Sequence, residues 1–377
     1  MYIRDITKRI TKCFFSGEVI LLIGARQVGK TSLLEQIVNT QEIEDKCLFL
    51  NCDYVEDRDL LNQQKLEDIK RIVGEKKYIF IDEGQKAENI GNTLKILVDY
   101  FKDNKQVVVT GSSSIHLLDK TSEPLTGRRN TFYLFPISTS ELVKHEDLFS
   151  FQKKLNEFLI FGTYPKVLNQ TSESEKIRQL KELVSSNLYR DILEFQLIRN
   201  PSVLTKLLKA LALQVGSEVS LREIGNLISL DLRTVERYID LLEKSFVIFR
   251  LPPLYKNKRK EMSKMNKIYF YDTGVRNAIL NNFNSAENRN DMGHLFENFI
   301  ISERLKFRKY NDVFGDQYFW RNYNQQEVDL IEDRDGRLYA YEIKRGKRTP
   351  DLPPSFKKDY DVEYSVISPT NMTDFLV

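Results

Sequence analysis

The 377-residue sequence predicts a multidomain α/β protein. Three observations carry that expectation. The length is more than one compact core usually holds. The first third alternates short apolar runs with stretches of helical spacing, the pattern of a parallel sheet wrapped by crossover helices. The strand signal then disappears over about residues 140–200 and returns beyond them, at 246–271 and again in the last hundred. Hydrophobic residues at 41% and charged residues at 29% exclude a disordered or fibrous chain.

Taken in order, residues 18–23, 46–51, 77–82 and 106–111 read as strands, and 30–39 and 89–100 as the helices between them. Residues 1–145 are the expected sheet domain, and 146–200 a helical lid or connector. Three helices at 203–214, 220–228 and 231–243 follow, the last two opened by N-capping Ser220 and Asp231. Strands at 246–251 and 267–271 complete a winged helix-turn-helix over 201–275. After a helix at 291–306, strands at 317–321, 327–332 and 338–344 build a C-terminal α/β domain over 285–377, with Asp335-Gly336 as a hairpin turn.

No apolar run approaches the roughly 18 residues needed to cross a bilayer, and the first residues carry no signal-peptide core. Cys13, Cys47 and Cys52 form no paired motif, so neither a disulfide framework nor a zinc site is expected. These features point to a cytoplasmic protein with no membrane partner. Lys and Arg total 57 against 54 acids, a net of +3, so any basic surface is local. His116, His145 and His294 lie far apart with no ligand spacing.

The segment Gly24-Ala25-Arg26-Gln27-Val28-Gly29-Lys30-Thr31, followed by Ser32, matches GxxxxGK[ST] between a predicted strand and a predicted helix. Its glycines let the backbone amides close around phosphate oxygens, Lys30 adds a charge for the β and γ phosphates, and Thr31 is a Mg²⁺ ligand. Tyr78-Ile79-Phe80-Ile81-Asp82-Glu83 is an apolar strand ending in two acids. Asp82 is the expected Mg²⁺ carboxylate and Glu83 the residue that orients attacking water. With no guanine-specific segment, the nucleotide is read as ATP. Thr110 and Ser112, at the end of the strand 106–111, stand where hydroxyls sense the γ-phosphate, although a polar strand-to-helix turn has the same appearance. Arg128 is either an arginine finger acting in trans, which implies a homo-oligomer, or a surface arginine.

The segments GARQVGKTSLL, YIFIDEGQK, VVVTGSSS, LTGRRN and LFPISTSEL resemble those of prokaryotic AAA+ ATPases joined to a C-terminal domain of unknown function. The likeness continues through FGTYPKVL, YRDIL, TVERYIDLLEKSFVI, KIYFYDTGVRN and GHLFENFIISERLK. It implies an AAA+ core and leaves the substrate open. Gly84 stands where that family usually carries an apolar residue.

On the C-terminal strands, Glu342 and Lys344 share a face, and Asp329 joins them if the strands are neighbours. Two carboxylates able to hold a divalent metal beside a lysine are the components of phosphodiester cleavage. The pattern is similar to the PD-(D/E)xK nucleases, a restriction-endonuclease-like fold, and Glu297 on the preceding helix matches an acid those folds add. Acid–lysine pairs are also ordinary cross-strand partners. Arg233, Arg237 and the basic stretch 256–260 are candidate DNA-phosphate contacts, though winged helices also dock proteins. Trp320, among Tyr318, Phe319 and Tyr323, is either a base-stacking residue or part of an alternating aromatic strand facing the core, the commoner case. The expected function is an ATPase that couples hydrolysis to a DNA-associated activity. The alternative is a nucleotide-controlled switch acting on a protein partner, with the nuclease-like domain an inactive scaffold.

Overall fold

The computed structural model describes residues 2–63, 65–112, 117, 121, 123–188, 201–255, 265–346 and 349–377. The basic stretch 256–260, Ser113, Ser114, His116 and the YRDIL segment lie outside the described residues. The chain divides into two compact units, one comprising residues 3–135 with 244–246 and the other residues 136–243 and 247–377 together with the first two residues.

The N-terminal unit is built on a five-stranded, all-parallel sheet. Its strands are β1 (Val19–Ile23), β2 (Cys47–Asn51), β3 (Tyr78–Asp82), β4 (Gln106–Gly111) and β5 (Arg129–Tyr133), in the spatial order β2-β3-β4-β1-β5. The four expected strands are present, with β5 added at an edge. Every residue of β1 and β4 is buried, as central strands covered by helices on both faces require. The edge strand β2 leaves Phe49 45% exposed and stacked on Phe80. Placing β4 between β1 and β3 brings the ends of three strands to one rim of the sheet. The helix Lys30–Gln41 begins at that rim, directly after β1.

The C-terminal unit opens with helices including Thr139–Glu146, Leu155–Phe161 and Glu173–Glu182. The recognisable segments FGTYPKVL and KIYFYDTGVRN meet inside it. Asp272 caps the helix Thr273–Leu280 and accepts from the Thr163 amide at 2.7 Å, while Asn277 donates to the Ile160 carbonyl at 2.8 Å. A Cβ on Gly274 would stand 2.1 Å from the Phe161 carbonyl oxygen, so this crossing tolerates only glycine. These residues lock the two segments against each other.

Helices Pro201–Leu213, Leu221–Ile228 and Leu232–Lys244 precede an antiparallel hairpin of β6 (Ile248–Leu251) and β7 (Lys267–Phe270). Ser220 and Asp231 cap the second and third helices through the Glu223 and Thr234 amides. Val235, Tyr238, Ile239 and Leu242 are buried at helical spacing, leaving Arg233 and Arg237 exposed on the other face. The hairpin is not a free-standing wing. Past β6, Pro252 and Leu254 pair in parallel with Phe319, joining it to a four-stranded sheet.

That sheet contains β8 (Asp316–Arg321), β9 (Glu327–Arg334), β10 (Arg337–Ile343) and β11 (Val362–Ile367), in the order β11-β10-β9-β8. The β9–β10 turn has Asp335 and Gly336 at φ 52° and 73°, both in the left-handed region that a tight hairpin demands. Trp320 lies in the core beneath the sheet, edge-on to Phe356 at 5.0 Å. The long helix Met292–Tyr310 packs in the same unit.

Candidate functional site

The loop between β1 and the helix Lys30–Gln41 has Gln27 at φ 63° and Gly29 at φ 96°, so successive amides turn inward as a nest. Gly24 is fixed by space, since a Cβ there would stand 2.1 Å from the Leu134 carbonyl oxygen. The Lys30 ammonium, 5% exposed, folds over the loop and donates to the carbonyls of Gly24 at 2.9 Å and Ala25 at 3.1 Å. It also lies 3.9 Å from the Glu83 carboxylate.

Three strands contribute to the rim. Thr31 Oγ1 donates to Asp82 Oδ2 at 2.6 Å, and Thr110 Oγ1 donates to Asp82 Oδ1. The Thr110 hydroxyl also accepts from the Glu83 amide at 3.1 Å. Thr110 therefore ties the two acids together because β4 lies beside β3. Glu83 sits at φ 51°, turning its side chain back toward the loop. Gln85 Nε2 donates to Glu83 Oε2 at 2.6 Å and to Ser112 Oγ at 3.0 Å. Gly84 leaves room for this turn, since a Cβ there would approach Val109 to 2.5 Å. The Thr31 hydroxyl and Asp82 carboxylate are a convergent pair of hard oxygens, the donor set that Mg²⁺ takes beside phosphate.

Arg128 is elsewhere in this unit. It precedes β5, and its carbonyl accepts from the Val19 amide that begins β1, so it stands at the end of the parallel sheet opposite the Gly24 loop. A five-residue strand separates the two ends by about 16 Å. Its guanidinium is bonded to Asp99 at 2.7 Å.

A second cluster occupies the C-terminal unit. The β9–β10 register pairs Tyr341 with Leu330, which continues to set Glu342 opposite Asp329. Lys344 lies 2.6 Å from Glu342 and 3.4 Å from Asp329, and Asp329 also accepts from the Ile343 amide at 2.8 Å. Burial and the facing Asp329 push the Glu342 carboxyl up to about 7 against the opposing pull of Lys344. Glu297 is held differently: it accepts from Tyr269 Oη at 2.7 Å and from Lys267 Nζ at 3.2 Å. Lys267, only 1% exposed, also pairs with Glu327. Burial opposes its charge, but Glu297, Glu327 and Asp329 outweigh burial and hold it above the usual lysine range. Among the described residues, no three His, Cys, Asp or Glu side chains gather as a metal cage.

Sequence reasoning missed Gln85, Lys267 and Tyr269. Gln85 stands two residues past Glu83, a spacing visible in the sequence. Lys267 opens the expected strand 267–271, and no local spacing shows that its ammonium is buried.

Residues 16–143 match the family model described as an AAA domain, residues 152–286 one described as domain of unknown function DUF8612, and residues 292–373 one described as domain of unknown function DUF4143. Among curated relatives, an uncharacterized protein of Mycobacterium tuberculosis is 24% identical, over 94% of this chain and 76% of its own length. One of Methanocaldococcus jannaschii is 26% identical over 89% and 77%, and one of Haemophilus influenzae 26% over 90% and 86%. A solved DNA replication initiation factor aligns with 63% of this chain and 86% of its own at 19% identity and a TM-score of 0.26, too low to bear on the fold. The first match supports an ATPase of the AAA+ type. No described helix is long and apolar enough to cross a membrane.

Proposed function

We propose that this chain binds and hydrolyses ATP and couples the cycle to a DNA-associated activity of its C-terminal unit. The observation that carries the reading is the rim where Lys30 and Thr31 at one helix start meet Asp82 and Glu83 at the end of β3 and Thr110 on β4. The amides of the Gly24–Thr31 loop bind the phosphate oxygens, and the Lys30 ammonium exchanges its two loop carbonyls for phosphate. Thr31 and Asp82 would hold Mg²⁺, which supplies charge neutralisation on the phosphates when bound. Glu83 orients water and takes its proton. Thr110 fixes the angle between Asp82 and Glu83, and Ser112 anchors Gln85, which steadies the same carboxylate. Arg128 serves a phosphate only when supplied by a second copy of the chain, because in its own subunit it stands at the far end of the sheet.

The helix–helix–hairpin arrangement, with Arg233 and Arg237 exposed, supports a winged-helix contact to DNA phosphates. In the C-terminal cluster, Asp329 and Glu342 are the pair suited to a divalent cation, with Lys344 beside the water that attacks phosphorus. One observation favours the alternative of an inactive scaffold serving a nucleotide-controlled switch. Lys267 already neutralises Glu297 and Glu327, so these two acids are not free to ligate.

Steady-state ATP hydrolysis with and without duplex DNA tests the reading. The parent protein hydrolyses ATP and responds to DNA in a salt-sensitive way. Lys30→Ala stays folded and loses hydrolysis; hydrolysis at the parent rate in that variant refutes the nucleotide site. Hydrolysis that ignores DNA, together with no Mg²⁺- or Mn²⁺-dependent cutting of any DNA substrate, leaves the switch reading standing.

A further inference from the structure

Arg4 lies outside the segment that matches the AAA domain, yet its side chain is built into the nucleotide loop. It is 5% exposed. Its Nη1 donates to the Val28 carbonyl at 2.8 Å, and its Nη2 donates to the Phe135 carbonyl at 2.6 Å. Val28 immediately precedes Gly29, whose amide opens the helix Lys30–Gln41.

In a planar trans peptide, a carbonyl and the following N–H point in opposite directions. A guanidinium gripping the Val28 oxygen therefore fixes the Gly29 N–H pointing the opposite way within the same plane, away from Arg4. The φ of 96° at Gly29 and 63° at Gln27 turn the loop amides into one nest, so this peptide is part of the anion-binding surface. The second carbonyl held by Arg4 belongs to the residue after Leu134. The Leu134 oxygen is the atom against which Gly24 packs. The two ends of the loop thus rest on residues 134–135, one through the Gly24 contact and the other through Arg4.

We propose that Arg4 is a positioning residue of the nucleotide site: by bridging Val28 and Phe135 it presets the Gly29 amide for a phosphate oxygen of the bound nucleotide. The inference rests on the nucleotide-binding reading above. The planar fork is what allows one side chain to reach two carbonyls, which an ammonium on a flexible stem does less well.

The test is titration of the full chain with a fluorescent N-methylanthraniloyl derivative of ATP, together with hydrolysis at saturating ATP. Arg4→Met weakens binding by about tenfold, the scale of one preset hydrogen bond to a charged group, while kcat at saturation stays within about twofold. Arg4→Lys keeps the charge but loses the fork and weakens binding by about threefold. In the nucleotide-free protein, hydrogen exchange at the Gly29 amide quickens in both variants. Unchanged affinity in Arg4→Met overturns the proposal. So does weakening in Arg4→Met with parent-like affinity and exchange in Arg4→Lys, since charge alone then accounts for the loss. If Arg4→Met does not fold, Arg4→Lys decides by the same criterion. Absence of nucleotide binding by the parent chain overturns the nucleotide reading itself, and is recognisable because it precedes any variant.

Discussion

Replacing Glu342 with glutamine alters how the stability of the C-terminal unit depends on pH. Burial and the opposing Asp329 raise the Glu342 carboxyl from 4.5 to about 7, despite Lys344 at 2.6 Å. A carboxyl raised in the folded state binds its proton more tightly there than in the unfolded chain. Its contribution is therefore fully present below about pH 4.5 and is lost as pH rises through about 7. Integrating between pH 5 and pH 8 gives a loss of roughly 2.5 kcal/mol. Solvent at this half-buried site and the flexible lysine partner reduce that to about 2 kcal/mol. A glutamine amide does not titrate, so Glu342→Gln gains stability relative to the parent by about this amount across the interval. Urea unfolding followed by circular dichroism at pH 5, 6, 7 and 8 measures it, with the C-terminal transition identified by Trp320 fluorescence. A difference between variant and parent that stays constant from pH 5 to pH 8 refutes the reasoning, because it means that Glu342 is ionised in both states throughout.

Thr110→Val removes the hydroxyl joining Asp82 to the Glu83 amide. It lowers kcat roughly 10–100-fold with nucleotide affinity little changed, as steady-state kinetics and nucleotide titration will read. Lys267→Met leaves Glu297 and Glu327 without their shared cation and destabilises the C-terminal unit by about 3–5 kcal/mol, measured by urea unfolding. A loss below about 1 kcal/mol means that solvent already screens those acids.

Much of the N-terminal unit was legible in the sequence. The four strands of high apolar content emerged as β1 to β4, the Gly24–Thr31 loop joins β1 to the helix after it, and Asp82 ends β3. The missed strands are both at sheet edges. β5, with the sequence RNTFY, has one fully buried residue, and β11 alternates partly buried and exposed positions over most of its length. An edge strand covers less core and tolerates polar residues, so its apolar signal is weak. In the C-terminal sheet, the hairpin turn at Asp335-Gly336 fixed the β9–β10 register and hence the meeting of Asp329, Glu342 and Lys344. The resemblance to the nuclease fold placed Glu297 with that acid set; in the structure it bonds Lys267 and Tyr269 and also feels the charges of Asp329 and Glu327. The hairpin, the long helix and the last sheet lie in one compact unit.

The sequence by itself determined the glycine-containing turn at residues 24–31, the acids at the end of β3 and the helix caps, because each needs only residues within a few positions of one another. Tertiary structure alone decided that Thr110 joins Asp82 to Glu83, that Arg4 spans 24 residues to Val28 and 131 to Phe135, and that Lys267 is buried among acids instead of solvated. Those contacts depend on which strands become neighbours, a choice made by the whole core's burial and by chain connectivity, and no local spacing records it.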